Sequence, residues 1–294
     1  MNDRAKFDNP DLESLLPEVQ FSRRGFIASS LAGGFALAAG PVMAQTVITT
    51  SADGLDVADV TIPVADGSLP AYVAVPKKPG KYPVLIVIAE IWGLHEHIRD
   101  VTRRAAKAGY YAIAPEPYFR QGDLAKMANI QDVVKAANSL ADTVMLRDLD
   151  ALVEWVDGQG KANGKRIGIT GFCRGGRTTW MFAAHNARVK AGVAWYGGLS
   201  PVPETMPLTP IDVAGKLNAP VLGLYGGADQ GIPLDLVERM RAALFAFGKE
   251  KESIIHVYDG MPHAFNADYR PSYRKEAAQD GWKRMLAWLK KHGV

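Results

Sequence analysis

Residues 167–176 of this 294-residue chain read Ile-Gly-Ile-Thr-Gly-Phe-Cys-Arg-Gly-Gly, and no other run narrows the possible folds as far. A β-rich stretch meets a glycine, a nucleophilic residue and another glycine, and a helix-like segment follows over residues 177–185. Gly-x-nucleophile-x-Gly is the spacing of a sharp strand-to-helix turn that lifts one side chain over the end of a sheet. The flanking residues must be glycine because the turn presses strand and helix backbones together where a Cβ has no room. In that frame the nucleophile is Cys173, the one cysteine of the chain.

The remaining pattern supplies the sheet such a turn needs. Residues 57–62 and 69–75 alternate in β fashion around Ala65-Asp66-Gly67-Ser68, which reads as a hairpin. Residues 84–89 are continuously apolar, as in a strand buried on both faces, and the loop Glu90-Ile91-Trp92-Gly93-Leu94 follows. A helix is predicted over 98–108, a strand over 110–114, and a longer excursion over 116–142. The next helix, over 143–156, gathers Val144, Leu149, Leu152 and Trp155 on one side. Strands are expected over 167–170, 189–195, 221–225 and 253–258, and helices over 233–247 and 272–290. This alternation predicts an α/β domain over residues 45–294, with a mostly parallel sheet, helices on both faces and an antiparallel hairpin at its N-terminal edge. At 48% hydrophobic and 22% charged residues the chain needs no disulfide or metal staple. Its net charge of +3, without a basic block or basic–aromatic stripe, argues against nucleic acid as a partner.

The first 44 residues read as an address. Ser22-Arg23-Arg24-Gly25-Phe26-Ile27 precedes an apolar run over 27–39 and then Val42-Met43-Ala44. The pattern resembles a twin-arginine signal peptide cut after Ala44, and the apolar run is too short to span a bilayer as a helix. The expectation is a periplasmic or secreted protein, handled by the twin-arginine export machinery and left without a membrane anchor after cleavage. An uncleaved amphipathic anchor is the rival reading.

A thiol nucleophile needs a base, and the base an orienting group. In the α/β-hydrolase fold the order is nucleophile, acid, histidine, each on a loop after a strand. Of six histidines, His95 and His97 precede the nucleophile, His185 ends a helix, His256 lies inside a strand and His292 is in the C-terminal tail. His263, in Asp259-Gly260-Met261-Pro262-His263, fits both order and position. Asp229 fits the acid, since it follows the 221–225 strand and the flexible pair Gly226-Gly227; helix capping is its bland alternative. His95-Glu96-His97 has a metal-like look but no third ligand cluster, and reads as a polar loop near the pocket rim.

Four motifs in register then resemble the dienelactone hydrolase (carboxymethylenebutenolidase) family over about residues 57–289. They are Glu90-Ile91-Trp92-Gly93, Gly171-Phe172-Cys173-Arg174-Gly175-Gly176, Gly227-Ala228-Asp229 and Met261-Pro262-His263-Ala264-Phe265. The resemblance implies a Cys173–His263–Asp229 triad with Glu90 beside the thiol, holding it at rest and helping to form the thiolate when substrate arrives. It also implies that Arg120 pairs with a substrate carboxylate. A second family arginine, four residues after the histidine, is replaced here by Ala267, and Arg270 is the nearby substitute.

Backbone N–H groups of Ile91 and Arg174 are expected to form an oxyanion hole, and Trp92 and Tyr196 to wall the pocket. The expected chemistry is hydrolysis of a small-molecule ester or lactone through an acyl-thioester, with no cofactor. Its rivals are a thiol amidase, peptidase or thioesterase on the same scaffold, and a non-catalytic hydrolase fold used for binding or redox sensing.

Overall fold

A computed structural model describes residues 48–202 and 204–294; the predicted leader, residues 1–44, lies outside them. The strands are β1 (Leu55–Val64), β2 (Gly67–Pro76), β3 (Tyr82–Ile88), β4 (Tyr111–Pro115), β5 (Ala162–Phe172), β6 (Val189–Trp195), β7 (Val221–Gly226) and β8 (Ile254–Tyr258). They form one sheet in the order β1-β2-β4-β3-β5-β6-β7-β8. The β1–β2 and β2–β4 pairs are antiparallel and the others parallel, so the predicted hairpin sits at one edge of a mostly parallel sheet.

Helices α1 (Glu96–Lys107), α2 (Ile130–Asn138), α3 (Asp142–Asp157), α4 (Arg174–His185), α5 (Leu234–Ala246) and α6 (Lys275–Lys291) connect and cover the strands. Strand β6 shows that both faces are covered. A Cβ on Gly192 would meet Thr179 of α4, whereas Trp195, three residues on and hence on the other face, lies against Gly281 of α6. Strand β3 explains its own continuous apolarity, for residues 84–88 have no exposed surface. This is the α/β-hydrolase architecture, with β5 near the middle of the sheet.

Three local expectations need correction. The excursion over 116–142 contains α2, whose first turn is capped by Asn129 Oδ1 accepting the Gln131 N–H at 2.9 Å. The core-facing stripe of α3 is Met145, Leu149, Leu152, Val153 and Val156; Val144 and Trp155 are only partly buried beside it. Strand β5 begins at Ala162 rather than 167, because Ala162 and Asn163 pair with Tyr82 and Pro83 at the start of β3, ahead of a register shift. Among the described residues no helix is long and apolar enough to cross a membrane.

Candidate active site

The turn at the end of β5 is as tight as its glycines predict. A Cβ on Gly171 would run into the Gly175 carbonyl, and one on Gly175 into the Ile88 and Ala89 carbonyl oxygens of the neighbouring strand. Cys173 takes the strained centre, at φ 53° and ψ −113°, and its N–H donates to the Trp195 carbonyl at 3.0 Å. Among the described residues two other non-glycine residues have positive φ, Tyr196 at 36° and Ala264 at 57°. Tyr196 follows β6, and Ala264 follows His263. Strained backbone thus collects in the loops that follow β5, β6 and β8.

His263 and Asp229 meet there. Asp229 Oδ2 lies 2.7 Å from His263 Nδ1, and both side chains are buried. Its other oxygen, Oδ1, accepts the N–H groups of Gly231 and Ile232 at 3.0 and 3.1 Å. The acid therefore closes its own turn with one oxygen and aims the imidazole with the other, so capping and orienting are compatible roles. Hydrogen bonds from Gly227 N–H to the Tyr258 carbonyl and from Ala228 N–H to the Met261 carbonyl lace the two loops together. Burial works against charge on His263, but the carboxylate of Asp229 and the neighbouring sulfur of Cys173 outweigh it and raise the ring to about 10. Cys173 and His263 line the same small cleft.

Glu90 is placed by register. Ile88 of β3 pairs with Gly171 of β5, so Glu90 and Cys173, each two residues further on, leave neighbouring strands at the same end of the sheet. The carboxylate is almost wholly buried; Oε2 lies 3.2 Å from His95 Nε2, and Oε1 has no hydrogen-bond partner among the described residues. Burial alone would raise its pKa, yet the hydrogen bond from His95 holds it down at about 2. His95 and His97 are not a rim loop. Both are buried, and His97 Nδ1 lies 2.6 Å from Asp268 Oδ1. Among the described residues no group of three or more His, Cys, Asp or Glu side chains converges on a metal position.

Ile91 and Arg174 both line the cleft. Arg174 opens α4, where backbone N–H groups have no intrahelical acceptor. Its side chain is turned away to the wall, donating to the Leu140 carbonyl at 2.9 Å and meeting Asp142 and the sulfur of Met206. Arg177 pairs with Asp142 at 2.9 Å and donates to the Leu208 carbonyl. Arg177 and Met206 were not singled out by sequence. Arg177 could have been found as the residue one helical turn beyond Cys173, whereas the long loop carrying Met206 has no local signal.

The predicted recognition residues are scattered. Tyr196 turns its ring edge toward His263, with centroids 5.0 Å apart, and its hydroxyl is buried without a hydrogen-bond partner among the described residues. Trp92 is buried in the core cluster. Arg120 is outside the cleft lining: it is clamped by Asp148 at 2.6 Å and by Asp66. Arg270 lies over the Tyr269 ring at 5.6 Å, also outside the lining. Ala267 has no exposed surface, so the position of the missing arginine is packed into the core.

The cleft is small, about 40 Å³, and Ser200, Val202 and Met206 also line it. A larger groove of about 410 Å³ opens beside β1 and β2, lined by Asp59, Arg99 and Glu116, and holds no nucleophile.

Comparison with known proteins places these features in a family context. The model of the dienelactone hydrolase family matches residues 69–293. A Methylorubrum extorquens protein named "Putative carboxymethylenebutenolidase" is 54% identical over 97% of this chain and 98% of its own. A protein of the same name from Escherichia coli K12 is 48% identical over 91% and 98%. A crystal structure of a "Putative Dienelactone Hydrolase" from Klebsiella pneumoniae superposes with a TM-score of 0.77 at 48% identity. It covers 81% of this chain and 99% of that one.

Proposed function

Because the chain belongs to the dienelactone hydrolase family, we propose that it hydrolyses a small ester or lactone through a Cys173–His263–Asp229 triad. The observation that carries this reading is the strained Cys173 at the strand-to-helix turn, sharing a cleft with an imidazole whose far nitrogen is held by a buried carboxylate. A nucleophile, a base and an orienter on three separate loops is the arrangement acyl transfer requires.

In the reactive form the proton of the thiol rests on His263 Nε2, so the ring is an imidazolium paired with the thiolate, and the thiolate attacks the carbonyl carbon. The N–H groups of Ile91 and Arg174 hold the developing oxyanion. As the intermediate collapses, the imidazolium gives its proton to the departing alkoxide and leaves an acyl-thioester. His263 then takes a proton from water, hydroxide attacks the thioester, and the acid departs as the thiol reforms. Asp229 keeps the ring oriented and stabilises its charged form throughout. Since both terminal nitrogens of Arg120 are held by the carboxylates of Asp66 and Asp148, carboxylate recognition through them requires those ion pairs to open first. The reading includes export, supported by the twin-arginine pattern and small-residue site over residues 22–44.

The test is hydrolysis of dienelactone and short aryl esters by the protein and its Cys173→Ala variant. Wild type is expected to turn over at least one of them, and the variant to lose three or more orders of magnitude, about what removal of a nucleophile costs. Equal rates in the two proteins sink the nucleophile assignment.

A further inference from the structure

Glu90 leaves β3 at the same end of the sheet at which Cys173 leaves β5, and His95 stands behind Glu90. His95 is the N-cap residue of α1, so its backbone is fixed by the helix it begins. Its ring is stacked on His97, centroids 5.9 Å apart, and meets the Tyr269 ring edge-on at 4.9 Å. His97 is itself locked by Asp268, and Asp268 by Arg104 at 3.2 Å and the Ile48 N–H at 3.0 Å. The imidazole therefore has one orientation, with Nε2 on Glu90 Oε2. Its Nδ1 is buried without a partner among the described residues. A proton there would be stranded, so the ring is neutral and carries its hydrogen on Nε2, donating to the carboxylate. Burial pushes the ring in the same direction, below its ordinary value.

Resting on the thiol-hydrolase reading, we propose that His95 is a positioning residue that restrains the resting thiol: by donating to Glu90 Oε2 it keeps the carboxylate ionised and leaves Oε1 to accept the S–H of Cys173. A carboxylate held ionised by a strong donor is a weak base, and its negative charge disfavours a thiolate next to it. The pair thus opposes His263, which favours the thiolate, and the thiol stays protonated until something disturbs the Glu90–His95 bond. The other titratable or charged groups around this pair are His97 of α1, Tyr196 after β6, and Tyr269 and Arg270 after β8. None of them gives Glu90 a hydrogen bond, so the donor that matters is His95.

The experiment is the rate of Cys173 alkylation by iodoacetamide from pH 5 to 10, in the full chain, where no second cysteine competes. The variants are His95→Asn, too short to reach Oε2; His95→Gln, whose amide can replace the Nε2 donor; Glu90→Gln; and the Asn–Gln double variant. Expected is a faster reaction near neutral pH in His95→Asn and Glu90→Gln, about tenfold, as the midpoint falls by roughly one pH unit. The plateau at high pH should stay at the wild-type value, His95→Gln should follow wild type, and the double variant should go no further than either single change. A rise by the same factor at every pH, plateau included, would mean only a loosened pocket and would overturn the proposal. So would a midpoint unchanged in His95→Asn, or one shifted equally in His95→Gln. Alkylation reads the thiol without any ester, so failure here is distinguishable from failure of the hydrolase reading, which rests on turnover by Cys173→Ala.

Discussion

At the scale of single residues, Asp229 shows how one side chain can be committed twice. Replacing it by asparagine keeps an oxygen for the Gly231 and Ile232 N–H groups but removes the charge facing His263. Turnover should fall roughly 10²–10⁴-fold, since the ring loses both its preferred tautomer and the stabilisation of its charged form. Stability should change with a distinctive pH dependence. His263 has its pKa raised from 6.5 to about 10 in the folded protein, so the charged ring stabilises the fold fully below pH 6.5 and loses that contribution as pH rises through about 10. Urea denaturation of wild type and Asp229→Asn should differ by about 3–5 kcal/mol at pH 6, the usual cost of breaking a buried pair. The gap should shrink by pH 10.5; a constant gap would mean that the ring is not charged in the native state. Cys173, Asp229 and His263 were legible in the sequence because strand-end positions and chain order are local properties. The burial of His95 and His97 was not, since what makes it tolerable is Asp268, 171 residues beyond His97.

At the scale of elements, the junction of β3, β5 and α4 leaves no slack. Gly175→Ala would push a methyl group into the Ile88 and Ala89 carbonyls, backbone that cannot swing aside. The expected cost is about 1–3 kcal/mol, a fall of roughly 2–4 °C in Tm per kcal/mol for a domain of this size. Activity should fall further than stability, because relief of the clash moves Cys173; a variant with wild-type Tm and turnover would show that the turn has room. The buried strands were easy to read because burial on both faces makes them uniformly apolar. Helix α2 was hidden for the opposite reason. It is nine residues long, buries only Ile130, Val133 and Ala137, and was signalled chiefly by the Asn129 cap. In α3 the apolar residues span more than one face, so sequence alone left its rotation open, and packing against β5 and α4 selects Met145 and Val156 over Val144 and Trp155.

At the scale of the whole molecule, the segment ahead of β1 is a strap across α1. Ile48 N–H donates to Asp268, the Thr50 N–H and hydroxyl go to Asp100, and Arg103 Nε donates to the Thr50 carbonyl at 2.8 Å. A chain beginning at Ser51 leaves two buried carboxylates short of donors. It should lose on the order of 3 kcal/mol, judging from hydrogen bonds to charged groups. A thermal melt of that truncated chain against one beginning at Gln45 would measure the loss, and equal Tm values would show that the strap is ornamental. The order of the parts along the chain has a further consequence for biosynthesis. On the proposed assignment, the nucleophile is residue 173 and its base residue 263 of 294, just after β8 and ahead of α6. A ribosome adding 5–20 residues per second therefore leaves the thiol without its histidine for roughly 5–20 s. Until the final strand is made, the nascent polypeptide is a hydrolase without a base, and it cannot attack the esters of the cell that is still making it.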